Sequence, residues 1–219
     1  MNVVARLYQP SIGKKAVMAV TGVILFGFTL VHMIGNLQIY LGPEKLNAYG
    51  AFLKSSAAVL WGARIFLLAC VLAHVGSAVL LTLQRRAARP TPYAKVTPQA
   101  STYASRTMMI SGPILAAFII YHLLHYTTGQ LFPGPNFSHT DVYRNVIIGF
   151  SNPAASAFYI VAMLCLGFHL IHGVKSFFQS LGLATVTRQR VRQFALAVVT
   201  LLVLGNLSMP IAVLAGLLK

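Results

Sequence analysis

Long apolar stretches alternate with short polar segments along the whole chain. Five of these stretches carry no formally charged residue, and each has the length of about 20 residues that a helix needs to cross a bilayer. Most prolines fall between the stretches, where they interrupt no helix. The pattern predicts five membrane-spanning helices, at roughly residues 16–41, 65–84, 107–131, 154–174 and 194–218.

The segments between the predicted spans are too short to hold a soluble domain, and no internal repeat is evident. We therefore expect residues 1–219 to form a single all-α integral membrane domain, a five-helix bundle. Pro113 falls in the first turns of the third predicted helix, and Pro210 is expected to bend the fifth.

Composition excludes the main alternatives to a membrane protein. Charged residues make up 9% of the chain, against about 25% in a soluble domain, and 57% of the residues are apolar. The formal net charge of +15 would suggest nucleic-acid binding if the basic residues formed one polar patch. They lie instead in short clusters between apolar runs, so the charge is expected to report orientation.

The basic residues divide unequally between the two sides of a five-span chain. One side holds five of them and both acidic residues, Glu44 and Asp141. The side of the N-terminus holds twelve, and basic residues are enriched on the cytoplasmic side of membrane proteins. A cytoplasmic N-terminus is therefore predicted. The twelve are Arg6, Lys14, Lys15, Arg85, Arg86, Arg89, Lys95, Arg106, Lys175, Arg188, Arg190 and Arg192.

Histidine is the residue type that brings chemistry into the predicted spans. Ionisable side chains are costly in a bilayer and usually functional, and the spans contain no Asp, Glu, Lys or Arg for an ion-coupled pump. Neutral imidazole binds iron, copper and zinc. Cys70 and Cys165 form no paired-cysteine motif, so bis-histidine haem fits best. Six of the seven histidines lie in the spans or at a span end: His32, His74, His122, His125, His169 and His172.

Depth along the helices pairs four of these histidines. At 1.5 Å per residue, His32 and His122 lie about 16 and 15 residues from the cytoplasmic ends of their spans, whereas His74 and His169 lie about 11 and 6 residues from theirs. We therefore predict two stacked haems b, the outer on His32/His122 and the inner on His74/His169, with levels about 10 Å apart.

Two of the predicted spans contain an HxxH motif. Residues three apart lie on neighbouring faces of a helix, so both imidazoles of a motif cannot easily bind one iron, and we take His122 and His169 as the ligands. His125 and His172 then either hydrogen-bond a haem propionate or a quinone carbonyl, or make an ordinary hydrogen bond between helices. Gly22, Gly27 and Gly35 are expected to allow close helix packing.

Aromatic residues near the outer ends of the spans are typical of an interfacial belt. We expect that anchoring role for Tyr40, Trp61, Tyr126, Tyr143 and Tyr159.

Taken together, these residues resemble the cytochrome b558 membrane-anchor subunit of succinate dehydrogenase/fumarate reductase, in its five-helix, dihaem form. The resemblance covers nearly the whole chain and rests on motifs in four spans. They are Gly22-Val23 and His32-Met33-Ile34-Gly35-Asn36, His74, Gly112-Pro113 with His122-Leu123-Leu124-His125-Tyr126, and the stretch from Tyr159 to Gly182 with His169-Leu170-Ile171-His172-Gly173.

The resemblance implies the same assignment of four haem ligands, with the outer haem between the first and third helices and the inner between the second and fourth. It implies a flavoprotein and an iron–sulfur partner on the cytoplasmic face of a bacterial inner membrane. A membrane quinone would be the acceptor, with menaquinone favoured over ubiquinone. The enzyme would be succinate dehydrogenase (quinone) or fumarate reductase, with succinate bound by another subunit.

One feature departs from some dihaem relatives, which carry an acidic residue beside the ligand of the fourth helix. Here the neighbours of His169 are Leu166, Gly167 and Phe168, which argues against a transmembrane proton path of that kind. Glu44, in an outer loop, either exchanges protons at a quinone site or is simply solvated.

Two alternatives to this function remain at the sequence level. A haem b anchor of another dehydrogenase, such as a formate dehydrogenase or a hydrogenase, would use a similar four-histidine bundle. A haem-free metal transporter or assembly factor would use the histidines for transient ligation.

Overall fold

The computed structural model describes residues 11–88, 106–132, 137–182 and 188–219, and all regular structure in these ranges is helical. A 3-10 turn, Leu37–Leu41, extends the first helix, and a π-helical turn, Leu123–Thr127, extends the fourth. Within the described ranges there are seven α-helices: α1 (Ser11–Asn36), α2 (Pro43–Lys54), α3 (Ala57–Ala87), α4 (Met108–His122), α5 (Val142–Ser151), α6 (Pro153–Ser180) and α7 (Arg188–Leu214).

Five segments are long and apolar enough to cross a membrane. Large apolar side chains on them face outward, including Ile12 (77% exposed) and Leu72 (64% exposed), which suits contact with lipid rather than water. The prediction of an all-α integral membrane protein with five spans is confirmed. The spans are Ser11–Leu41, Ala57–Ala87, Met108–Thr127, Pro153–Ser180 and Gln189–Leu214.

Four of the five spans begin before the charge-free stretches from which they were predicted, whereas the third is shorter than the predicted 107–131 and runs from Met108 to Thr127. Helix α3 begins at Ala57, eight residues before the expected start at residue 65, because the Ser56 side chain caps it by accepting a hydrogen bond from the Val59 amide at 3.4 Å. Arg64 therefore lies inside the helix, with its guanidinium 5.1 Å from the centre of the Trp61 ring. A charged residue near the interface ends the apolar run but not the helix.

The helices α2 and α5 form a layer over one end of the bundle. Asn47 on α2 joins them: its amide nitrogen donates to Asp141 Oδ1 at 3.0 Å, and its amide oxygen accepts from the Tyr143 backbone at 2.9 Å. Asp141 also caps α5 by accepting from the Arg144 backbone amide at 3.0 Å. Glu44 is exposed in the first turn of α2, where a carboxylate complements the helix dipole.

Two spans form the centre of the bundle. Helix α1 packs against α3, α6 and α7, whereas α6 packs against α1, α4 and α7. Helices α3 and α4 thus flank this central pair on different sides. The arrangement places the four histidine-bearing helices, α1, α3, α4 and α6, around a common interior.

Candidate cofactor-binding site

Four histidines from four helices face each other in two pairs. The ring centres of His32 on α1 and His122 on α4 are 5.8 Å apart, and the ring planes meet at 86°. Those of His74 on α3 and His169 on α6 are 6.3 Å apart, at 54°. The structure therefore brings together the same partners that depth along the helices had paired.

Contacts between helices measure the spacing of the two pairs. Three residues each hydrogen-bond a histidine of one pair. The helix that carries each of them also carries a histidine of the other pair, ten or eleven residues away, which is about 15–16 Å of helical rise. The expected spacing of about 10 Å was wrong, because it was measured from helix ends that do not lie at one height. The three residues are Thr21 for His74, Ser111 for His169 and Tyr159 for His122.

The inner pair is oriented through its Nδ1 atoms. His74 Nδ1 lies 3.0 Å from the Met18 carbonyl oxygen, which can only accept, so this nitrogen carries the proton and Nε2 keeps its lone pair. The Thr21 hydroxyl lies 3.2 Å from the same Nδ1. His169 Nδ1 lies 3.4 Å from Ser111 Oγ. Metal-binding histidines in proteins are commonly held in this way through the other ring nitrogen.

Gly22 makes room for the His74 ring. A Cβ atom added at this glycine would lie 3.3 Å from His74 Cε1, whereas one added at Gly27 would meet nothing within 4 Å. Gly35, the last of the three glycines expected to allow close packing, faces the Tyr49 ring of α2, where an added Cβ would lie 2.6 Å from the hydroxyl. Gly22 and Gly35 thus allow the close approach of a side chain from a neighbouring helix, and at Gly22 that side chain is a histidine.

The outer pair is held differently on its two sides. His122 Nδ1 lies 3.1 Å from the Tyr159 hydroxyl on α6. His32 instead uses Nε2, which lies 3.1 Å from Asn36 Nδ2 one turn along its own helix, and its ring stacks on Phe28 at 5.3 Å. Metal binding by His32 therefore requires either Nδ1 as the ligand atom or release of the Asn36 bond.

The π-helical turn places a fully buried histidine beside the outer pair. His125 is 0% exposed, and its Nδ1 lies 3.2 Å from the Tyr159 hydroxyl. Its Nε2 is buried and has no hydrogen-bond partner among the residues that the structure describes, and the same holds for the hydroxyl of Tyr126. A buried polar group left without a partner costs about 1–3 kcal/mol, and π-turns are frequent at functional sites. This turn therefore has the character of a ligand site.

The remaining two histidines lie away from the facing pairs. His172 is half-buried on α6, one turn from His169 toward the end of the helix that carries Lys175. His139 is exposed next to the α2–α5 layer, and its backbone oxygen accepts a hydrogen bond from Lys54 Nζ at 2.6 Å. Within the described ranges, no three His, Cys, Asp or Glu side chains are placed to hold a metal ion together.

Tyr159 is the important residue that sequence reasoning missed. It was expected in the interfacial belt, but it is only 6% exposed and bonds two histidines. Its position in the sequence carried a signal, since it falls at helical spacing with Ala155, Ala162 and Met163, which are also buried on α6. A tyrosine on that face points into the bundle rather than toward the membrane surface.

The ring separations of the two facing pairs are compatible with one metal ion between the imidazoles of each pair. A metal–imidazole bond is about 2 Å long, so two nitrogens on opposite sides of one iron are about 4 Å apart, and the ring centres behind them about 6 Å apart. The observed separations of 5.8 and 6.3 Å match this value. The proton on His74 Nδ1 also leaves the Nε2 lone pair for a metal.

Comparison with known proteins identifies the family to which the chain belongs. The family model for the succinate dehydrogenase/fumarate reductase transmembrane subunit matches residues 84–206, a range that contains α4, α5, α6 and most of α7. No individual curated protein and no solved structure gives a significant match. The matched range covers more than half of the chain, and the five spans of the chain agree with a membrane subunit. The chain therefore belongs to the succinate dehydrogenase/fumarate reductase transmembrane subunit family.

Proposed function

We propose that the protein is the dihaem cytochrome b anchor of its complex. It would hold an outer haem b between His32 and His122 and an inner haem b between His74 and His169. The observation that carries the proposal is the separation of the facing imidazoles, 5.8 and 6.3 Å, in two pairs on four different spans.

When bound, the haems would act as one-electron carriers between an iron–sulfur subunit and a membrane quinone. The chain's own contribution is to position them. Helices α1 and α4 fix the outer pair, and α3 and α6 fix the inner pair about 15–16 Å away, a spacing that covers about half of the hydrocarbon core. Met18 and Ser111 hold the inner imidazoles by Nδ1.

The second histidine of each HxxH motif would hydrogen-bond a polar group of a bound haem or quinone. His125 offers its unpartnered Nε2 at the outer level to a haem propionate or to a quinone carbonyl. His172 would do the same at the inner level, where Lys175 adds a positive charge next to it. Menaquinone is the favoured acceptor, by resemblance to the dihaem anchors.

The soluble partners would dock at the end opposite the α2–α5 layer. That end carries exposed basic residues at the end of α3 and the start of α7, namely Arg85, Arg86, Arg190 and Arg192. The excess of basic residues there supports a cytoplasmic location for this end. The flavoprotein and iron–sulfur subunits would therefore meet the inner haem first, in a bacterial inner membrane with the N-terminus in the cytoplasm.

Substitution of single histidines tests the proposal. His74→Ala and His169→Ala are each expected to remove the inner haem and keep the outer one, and His32→Ala and His122→Ala to do the reverse. Haem per polypeptide in the purified complex, with a redox titration of the b-type absorbance, distinguishes the two haems. His139→Ala is the matched control, since this exposed histidine lies away from both pairs, and it should keep both haems. Full haem content in all four variants would refute the assignment.

The family match favours a succinate or fumarate complex over the anchors of formate dehydrogenases and hydrogenases. Identification of the co-purifying subunits separates these cases. A flavin-bearing partner supports the proposal, whereas a molybdenum- or nickel-bearing partner contradicts it. A metal transporter would purify colourless and show metal-dependent transport.

A further inference from the structure

One hydroxyl group connects two histidines with different expected tasks. The Tyr159 hydroxyl lies 3.1 Å from His122 Nδ1 and 3.2 Å from His125 Nδ1. The Tyr159 ring is fixed in place by the rings of Phe118 and Phe150, whose centres are each 5.0 Å from its own. Tyr159 and His125 are only 6% and 0% exposed, which removes water as an alternative partner for the hydroxyl they share.

The number of protons in this group of three limits how it can be arranged. A hydroxyl carries one proton, so it can donate to only one of two imidazole nitrogens. The other nitrogen must then carry its own proton and donate it to the hydroxyl oxygen. If both Nδ1 atoms lacked a proton, one contact would join two acceptors. If both were protonated, the hydroxyl proton would have no acceptor among the described residues. The two neutral histidines therefore adopt opposite tautomers.

The proposed haem ligation selects one of the two arrangements, and on this point the inference rests on the proposed function. If His122 binds iron through Nε2, its proton lies on Nδ1 and is donated to Tyr159. The Tyr159 hydroxyl then donates to His125 Nδ1. The proton of His125 consequently lies on Nε2, which is the buried atom without a partner.

We infer that Tyr159 is a positioning residue that fixes His122 and His125 in opposite tautomers, so that His125 presents a buried N–H donor beside the outer haem site. The partner of that donor is an acceptor oxygen, of a carboxylate or of a quinone carbonyl. The inner pair is oriented differently, His74 by a backbone carbonyl and His169 by a serine. The effect of Tyr159 is thus confined to the outer level.

Tyr159→Phe tests the inference in the purified complex. A hydrogen bond donated from Nδ1 makes an imidazole a stronger electron donor to its metal, so losing the acceptor should shift the midpoint potential of the outer haem to more positive values. The low-spin ferric EPR signal of the outer haem should also move, since it reports the orientation of the two imidazole planes. Both haems should stay bound, and the inner potential should not change.

Tyr143→Phe is the matched control, because it removes the hydroxyl of another tyrosine at the same end, one that donates to the Lys219 carbonyl at 3.2 Å. It should leave both potentials unchanged. A Tyr159→Phe protein with an unaltered outer potential and EPR signal would overturn the inference, as would equal shifts of both haems. Absence of both haems from the wild-type complex would instead overturn the proposed function.

The coupling between the histidines is tested by His125→Phe in two backgrounds. Because Tyr159 joins the two imidazoles, the shift of the outer potential caused by His125→Phe should differ between the wild-type chain and the Tyr159→Phe chain. Additive shifts would contradict the coupled tautomers. Should the Tyr159→Phe chain fail to assemble, His125→Phe alone must still move the outer EPR signal and not the inner one, and an unchanged outer signal would overturn the inference.

Discussion

The absence of a side chain at Gly22 leaves the space that the His74 ring occupies. An added Cβ would lie 3.3 Å from His74 Cε1, a contact that the close-packed neighbours can relieve only by moving. A β-branched side chain at this position adds two more carbons in the same direction. The imidazole would then be displaced from the Met18 carbonyl that orients it.

Gly22→Val is therefore expected to lower the occupancy of the inner haem and to leave the outer haem bound. Gly27→Val, in the same helix, is the control, since a Cβ at Gly27 meets nothing within 4 Å. Haem per polypeptide in the purified complex provides the measurement. Equal haem content in the two variants would show that Gly22 does not position His74.

The histidines themselves could be found from the sequence, whereas most of the residues that orient them could not. An imidazole in a span is costly and conspicuous, but hydroxyl residues such as Thr21 and Ser111 are common in spans and stand out only once the helices are packed. Tyr159 resembled an interfacial aromatic by position alone. The contact between Asn36 and His32 could not be predicted from the sequence either, because it depends on side-chain rotamers.

Among the elements, the spans were predictable and the short helices were not. A run of about 20 apolar residues leaves little choice but a membrane helix. Helix α2 is short and carries Glu44, Lys45 and Lys54, so in the sequence it resembles a loop. Its fold depends on α5 through Asn47, and no local pattern of hydrophobic residues shows such a contact between helices.

Asn47→Ala removes both hydrogen bonds that join α2 to α5 and leaves Asp141 Oδ1 and the Tyr143 amide with fewer partners. We expect this to destabilise the folded protein by about 1–3 kcal/mol, mainly in the α2–α5 layer. Hydrogen–deuterium exchange is expected to be faster in residues 43–54 and 137–151 and unchanged in α6. Glu44→Gln, an exposed change on the same helix, is the control. Unchanged exchange in the Asn47→Ala protein would mean that the layer is held by other contacts.

At the scale of the whole molecule, five spans place the start of α1 and the end of α7 at opposite ends of the bundle. The α2–α5 layer lies at one end. The ends of α3 and α6 and the start of α7 lie at the other. The sequence predicted this alternation because each span crosses once. It could not give the height of one helix relative to another, which is why the spacing of the histidine pairs needed the structure.

Accessibility of single cysteines tests the orientation, in a background in which Cys70 and Cys165 are replaced by alanine. A membrane-impermeant thiol reagent added outside intact cells should label Ser55→Cys and Ser151→Cys, and it should reach Ser180→Cys and Gln189→Cys only after permeabilisation. All four positions are exposed. The reverse labelling pattern would place the N-terminus outside.

The central claim is that this chain holds two haems b between two pairs of histidines. The most direct measurement is the haem content of the purified wild-type complex, combined with a redox titration of its b-type absorbance. Two haems per copy of the chain, titrating as two components, are predicted. A complex without b-type absorbance, or with a single haem per chain, would contradict the account.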